Sequence, residues 1–421
     1  MMRASVLALL TAALASSAAV GPARAQTGGD PFLPLSAVPD NQQVRVLVTG
    51  WIPVTGMPVG LAARQQALAR QAQSTQAGVQ QALSAAGGGA SLRQYQYLPI
   101  AAVTASAKAV RALQAANPRA HIAYDEERGL FPSEVSGPGE ALRPPRAGAP
   151  TGKGQIVAVL DIGVDTAHPF LAGKVVAEAC FAIRCPNGET SMFGPGSARP
   201  LREHGTHVAG IIAGRTDALS GVAPGAGLVA AQVFSQDGDR IGARDEDILA
   251  GLDWVVQLVV QKHLPIASVN LSVGGGGYAA PCGDSPYETA ATALLQAGVI
   301  VVAAAGNDGK ADRVDSPACA PSIVSVGAVD RHGRIAEFSD SARFLTIVAP
   351  GVDILSSMGA PGPVRYAPDS GTSMAAPHVA GAFALLRQAM PDAAPEDLIR
   401  RLLADLPRVT DPRNGVETPM L

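Results

Sequence analysis

Apolar and polar positions along this chain follow two different rhythms, and the change between them divides it. A strand-like run begins at Val44 to Val48. Leu61 to Ala86 is rich in Ala and Gln with no internal Pro, a helix pattern that Gly87-Gly88-Gly89 stops. A second strand-like piece, Tyr97 to Val103, is followed by a helical segment from Thr104 to Ala116 and a short run, H-I-A-Y, at His121 to Tyr124. The order predicted is β-α-β-α-β, a small α+β unit.

From Pro132 to Gly154 the composition turns to Pro, Gly, Ala and Arg, including Pro144-Pro145, Arg143 and Arg146, which reads as a linker. Beyond it, continuous Val/Ile/Ala runs alternate with helical stretches. Strands are predicted at Gln155 to Leu160, Gly227 to Phe234, Ile266 to Leu271, Val299 to Ala304 and Ile323 to Val329. Helices are predicted from His204, over Asp245 to Lys262, over Tyr287 to Ala297 and over Met374 to Met390. Strands that are apolar without alternation are buried on both faces. The fold class is therefore α/β, a largely parallel central sheet with helices on both faces, preceded by the small α+β domain. Ligands of such sheets gather outside the carboxyl ends of the strands. Asp161 and Asn307 both follow strands and so belong on that rim.

Composition narrows the functional classes. With 421 residues, 47% apolar and 16% charged, the chain can bury a large core, and a net charge of -3 with 4% aromatics gives nucleic acid no basic or stacking surface. Arg3, the apolar stretch Val6 to Val20 and Ala23-Arg24-Ala25 read as an export signal cut after Ala25, broken by Gly21-Pro22 before it could span a membrane. The division expected is 1–25 signal, 26–131 α+β unit, 132–150 linker and 151–421 catalytic domain. No other segment reads as a membrane anchor, so the processed protein is expected to be a soluble monomer, secreted or periplasmic. Export makes the four cysteines readable as two disulfides, for which three pairings exist. The nearness of Cys180 to Cys185 suggests one small loop and leaves Cys282 with Cys319. A zinc site lacks any C-x-x-C pair.

Ser373 lies in G-T-S-M-A-A-P-H-V-A-G at the start of a buried helix, where Pro377 is expected within the first turn. A serine there is commonly a cap; the free N–H groups also stabilise negative charge forming beside it. An alcohol needs an adjacent base to become a nucleophile, and His204, in R-E-H-G-T-H-V-A-G, is the candidate. His207 is three residues on, which makes a metal pair the alternative, but H-x-x-H lacks the glutamate of H-E-x-x-H and no third ligand is evident. A base histidine needs a buried carboxylate to orient it. Asp161, in D-I-G-V-D, fits, with Asp165 as a rival that reads as a turn residue. Asn307, in A-A-A-G-N, can donate to an oxyanion together with the Ser373 N–H.

Taken together, D-I-G-V-D, H-G-T-H-V-A-G, S-V-N-L-S-V-G-G, A-A-A-G-N and G-T-S-M-A-A-P-H-V-A-G resemble the subtilisin family in order and spacing over roughly residues 150 to 410. The order Asp, His, Ser is that of subtilisin rather than of chymotrypsin or the α/β-hydrolases. His204 and Asn307 also speak against the sedolisins, which use Glu and Asp at these positions. The resemblance implies a serine endopeptidase acting on polypeptides, with Ser373 as nucleophile, His204 as base, Asp161 as orienting carboxylate and Asn307 as oxyanion donor. It further implies that Ser272, Val273, Gly274 and Gly275 line a cleft where an extended peptide pairs as an added strand. The N-terminal unit resembles that family's propeptide, a folding assistant and inhibitor that the enzyme removes.

Three departures stand out. Ile162 replaces the Ser or Thr usual after the catalytic aspartate. The segment Arg215 to Ser220 is shorter than the calcium loop of several relatives, which speaks against calcium there, and no cofactor is needed for the chemistry. The chain also ends at Leu421, before the expected closing segment. Counting back from Ser316-Pro317-Ala318-Cys319 puts Asp315 near the base of the first specificity pocket, where it would favour Lys or Arg; a solvated loop acid is the plainer alternative. Under that preference Arg143 and Arg146 are compatible self-cleavage sites. The other readings are a catalytically silent homologue used for binding and a metal-dependent hydrolase centred on His204 and His207.

Overall fold

The computed structural model describes residues 35–50, 60–87, 90–132, 140–141, 148–359, 363 and 365–421. The expected export signal, Arg143 and Arg146 lie outside them. In the N-terminal unit, β1 (Gln43–Thr49), α1 (Leu61–Ala85), β2 (Ser91–Gln94), β3 (Ile100–Ser106), α2 (Ala107–Ala116) and β4 (His121–Tyr124) form a sheet ordered β2-β3-β1-β4, all antiparallel. Side chains alternate across a strand, and β1 uses both faces. Val44, Val46 and Val48 pack with Val79, Leu83, Val110 and Leu113 of the helices, while Leu47 enters the larger core of the rest of the molecule. The strand expected at Tyr97 to Val103 is β3, which begins only at Ile100 and runs on to Ser106, and β2, before the intervening turn, has no counterpart among the expected strands. The helix expected from Thr104 starts at Ala107, because pairing with β1 runs on to Ser106, whose Oγ then accepts the Ala109 N–H at 3.2 Å as an N-cap.

Next come β5 (Glu127–Arg128) and β6 (Glu140–Ala141), the latter a strand inside the expected linker. The large sheet takes β7 (Ile156–Asp161), β8 (Val175–Phe181), β9 (Ser191–Phe193) and, after α3 (His204–Ala213), β10 (Gly227–Gln232). A hairpin of β11 (Ser235–Asp237) and β12 (Arg240–Arg244) leads into α4 (Asp245–Lys262) and back to the sheet with β13 (Ile266–Leu271). Then follow β14 (Gly275–Tyr278), α5 (Pro286–Gln296), β15 (Ile300–Ala304), β16 (Val314–Ser316), β17 (Val324–Val329) and β18 (Ile347–Pro350). The hairpin of β19 (Ile354–Met358) and β20 (Arg365–Asp369), with β6 on its edge, precedes α6 (Thr372–Ala389) and α7 (Pro395–Ala404). The large sheet runs β18-β17-β15-β13-β7-β10-β8-β9, parallel throughout except for β9 at one edge.

Alternation in β7 explains why helices cover both faces. Val157 and Val159 pack with Val208, Ile211 and Met374 of α3 and α6, whereas Ala158 and Leu160 pack with Ile248, Leu252 and Leu294 of α4 and α5. The strands β8, β9 and β18 and the helix α7 are absent from the sequence reading. In β8, V-V-A-E-A-C-F, the first four residues are partly or fully exposed and only the last three are buried, so it lacks the continuous apolar signal of the central strands.

The N-terminal unit docks on α4. The Asp253 carboxylate accepts the N–H groups of Gln96, Tyr97 and Leu98 at 2.7–3.0 Å, Arg93 meets Asp247 at 2.6 Å, and Asp125 accepts the Glu246 N–H at 3.0 Å. Disulfides join Cys180 to Cys185 and Cys282 to Cys319, the pairing expected. The second closes a separation of 37 residues against five for the first. Chain entropy then assigns about 4 kcal/mol to Cys282–Cys319 and about 2 to Cys180–Cys185. In a Ser373→Ala background, which prevents self-digestion, urea unfolding is expected to show the larger loss for the Cys282→Ser/Cys319→Ser pair; a reversed order would refute this.

Candidate active site

Asp161 ends β7 at the carboxyl rim of the sheet and is completely buried. A buried carboxylate must be hydrogen-bonded or paired. Its Oδ1 accepts the Ile162 N–H at 2.7 Å, and His204 Nδ1 donates to the carboxylate, 2.9 Å from Oδ1 and 3.1 Å from Oδ2. With no hydroxyl at position 162, the donor from that residue to Asp161 is its main-chain N–H, and the Ile162 side chain goes into the core. His204 opens α3, and Gly205 after it has no room for a side chain. A Cβ there would stand 2.1 Å from the Gly163 carbonyl and 3.0 Å from Asp161 Oδ1.

Burial alone would lower the His204 titration, but the Asp161 charge, its hydrogen bond and the more distant Asp369 outweigh it and raise it above the ordinary histidine value. His204 Nε2 is buried with no hydrogen-bond partner among the described residues. His207 does not converge with it. Its Nε2 donates to the Ala367 carbonyl at 3.1 Å, and burial pushes its titration down to about 4. Asp165 is the turn residue of the plainer reading, accepting the Ala167 N–H at 3.1 Å.

Ser373 is the second residue of α6 and nearly fully buried. Pro377 sits deeper than the first turn expected for it, as the sixth residue of the helix. A proline lacks the N–H that would bond the carbonyl four residues back, here that of Ser373. The Ser272 hydroxyl fills the gap, donating to the Ser373 carbonyl at 3.0 Å. The Ser373 hydroxyl lies 3.5 Å from the Ser272 carbonyl and makes no cap.

Asn307 lies just past β15. Its Oδ1 accepts both the N–H (2.9 Å) and the hydroxyl (2.8 Å) of Thr372, which fixes the amide so that Nδ2 faces outward. Gly371 gives it room, since a Cβ there would be 2.8 Å from Nδ2. The Thr372 role was not legible in the sequence beyond a hydroxyl residue at a helix start. Nδ2 donates to the carbonyl of Pro132, at 2.7 Å.

That carbonyl belongs to a segment lying in a cleft. Arg128 pairs antiparallel with Ala243 of β12, while Gly129 and Gly274 exchange both main-chain bonds, at 3.1 and 3.2 Å. The chain before Pro132 is therefore a strand between two walls. Of the residues expected to line this cleft, Gly274 and Gly275 present main chain to the segment and Ser272 stands at its junction with α6, while the Val273 side chain is buried in the core. Phe131 is buried against Gly274, where a Cβ would come within 2.6 Å of its ring and 3.3 Å of Asp315 Cβ. Asp315 is buried, accepts the Gly277 N–H at 2.8 Å, and is pushed up to about 6 by burial.

A parallel sheet carrying an Asp–His pair, a serine at a helix N-terminus and an amide beside it on one rim defines a hydrolase. Residues 152–412 match the Subtilase family, and the chain belongs to that family. Subtilisin E of Bacillus subtilis (strain 168) is 34% identical over 306 residues, 71% of this chain and 73% of its own length. The extracellular serine proteinase of Thermus sp. (strain Rt41A) is 36% identical over 253 residues, 60% of this chain and 55% of its own. Fervidolysin from Fervidobacterium pennivorans, a keratinolytic enzyme related to subtilisin, shares the fold with a TM-score of 0.65 at 24% identity, over 90% of this chain and 60% of that one. The protein is a serine endopeptidase with the subtilisin-like α/β fold.

The His204 environment yields a titration test. Replacing Asp161 by Asn removes the charge that raises the imidazolium and leaves burial to lower it. The His204 titration, followed by NMR in a Ser373→Ala background, is expected above about 6.5 with Asp161 present and below it in Asp161→Asn. An unchanged midpoint would contradict the pairing.

Proposed function

We propose that this chain is an exported zymogen that hydrolyses peptide bonds through an acyl-enzyme intermediate, and that residues 26–131 act as its own inhibitor. The observation that carries this reading is the Asn307 amide, fixed by Thr372 and aimed at a peptide carbonyl in a cleft that holds that peptide as a strand. Ser373 Oγ attacks the substrate carbonyl carbon and its proton passes to His204 Nε2. Asp161 holds the ring through Nδ1 and stabilises the imidazolium. The oxyanion is met by Asn307 Nδ2 and the Ser373 N–H at the positive end of α6. Collapse expels the amine, which takes the proton from His204, and water then cleaves the ester by the same route in reverse.

The N-terminal unit supports the inhibitor reading because its last described residues fill the cleft as a substrate would, while its sheet is fastened to α4. Export is supported by the signal pattern before Ala25 and by the extracellular relative; among the described residues no helix is long and apolar enough to cross a membrane. A solitary protein acting on polypeptides, without a cofactor, is the arrangement proposed. For Asp315, burial beside the Phe131 ring and the bond to Gly277 favour an apolar or aromatic side chain in that pocket over the Lys or Arg that its charge alone suggests.

Three measurements test this. Wild-type chain is expected to shorten itself on expression, with Ser373→Ala remaining at full length; a wild type that stays intact while active would defeat the inhibitor assignment. Asn307→Ala is expected to lower kcat by about 10²–10³ with KM little changed. Peptides with Phe before the cleaved bond should be cut faster than those with Arg, and a preference for Arg would restore the basic-residue pocket.

A further inference from the structure

Arg128 is the most deeply engaged charged side chain of the segment in the cleft, at 5% exposure. Its Nε and Nη2 bond the two oxygens of Asp245, at 2.7 and 2.9 Å, and its Nη1 donates to the Gly275 carbonyl at 3.0 Å. Glu126 Oε2 also lies 3.0 Å from Nη1, on a side chain that is 40% exposed. This is the planar fork-to-carboxylate geometry that a guanidinium makes and an ammonium does not.

The acceptor side of this contact comes from the catalytic domain. Asp245 is the first residue of α4, where the helix dipole favours a negative charge. The buried Tyr287 hydroxyl donates to Asp245 Oδ1 at 2.6 Å, and Tyr278, Pro286 and Ser316 wall the same small cavity. Register matters as much as charge. Arg128 is directed there by its pairing with Ala243 and by the Gly129–Gly274 pair beside it, main-chain bonds open to any extended peptide. A peptide lying in the cleft in this register points the same side chain at Asp245.

We propose that Asp245, with Tyr287 and the Gly275 carbonyl, forms an arginine-selective subsite that reads the guanidinium of polypeptide substrates three residues before the one seated in the Phe131 position. The proposal rests on the substrate-like placement of the N-terminal segment, and it makes Asp245 a specificity-determining residue remote from the reacting bond.

The test uses the self-processed enzyme and the peptide E-E-R-G-L-F-P, residues 126–132, as a competitive inhibitor, together with versions carrying citrulline, Lys or Ala in place of Arg. Citrulline keeps the shape and removes the charge; a peptide this short has no fold to lose. Citrulline and Ala are expected to raise the inhibition constant on the order of 10- to 100-fold, with Lys between them and Arg. In Asp245→Asn enzyme the Arg and citrulline peptides should converge. Should that variant not mature, the wild-type comparison decides alone. If the parent peptide inhibits but citrulline does so equally well, the arginine subsite is overturned and the cleft assignment stands. A parent peptide that does not inhibit overturns both.

Discussion

The constraint on which this structure turns is the burial of the Asp161 charge at the end of a central strand. A carboxylate removed from water costs several kcal/mol unless it is bonded and paired, and here the Ile162 N–H and the His204 ring are bonded to it. That demand orients the imidazole by holding its Nδ1, leaving Nε2 as the nitrogen free for proton transfer. It also accounts for Gly205, because any side chain there would strike the Gly163 carbonyl and crowd the carboxylate. One buried charge therefore dictates a ring orientation, a helix start and a glycine.

What was legible in the sequence follows from how uniform each environment is. The strands around β7 are covered on both faces, so β15 announces itself as an unbroken apolar run, and β13 and β17 as mostly apolar ones interrupted by Ser268, Asn270 and Ser325. At the edges, β8 and β9 carry exposed positions and fade into the loops. Ser373, His204, Asp161 and Asn307 sit in motifs whose small residues have a visible purpose. Thr372 did not stand out, because its role is to hold an amide 65 positions away in the chain, and no local pattern encodes that. The same holds for Pro132 and Asn307, 175 positions apart.

The acids at the start of α4 serve two purposes. Asp245, Glu246 and Asp247 occupy the first turn, where a helix favours negative charge. They also face the N-terminal unit, which meets Asp245 and Asp247 with Arg128 and Arg93 and places Asp125 against the Glu246 N–H. Burial pushes Asp125 up to about 7, so this contact sets a carboxyl that titrates near neutral pH beside two ion pairs. The helix start is at once a fold element of the catalytic part and the docking edge for the chain before it.

Pro377 has a mechanical meaning. By withholding its N–H it forces the Ser373 carbonyl to find a donor outside the helix, and the donor is Ser272, on the segment that continues into the cleft wall at Gly274. The nucleophile and the strand that grips the peptide are thereby clamped as a single body. Their spacing becomes a fixed dimension of the molecule, a gauge against which every bound chain is measured.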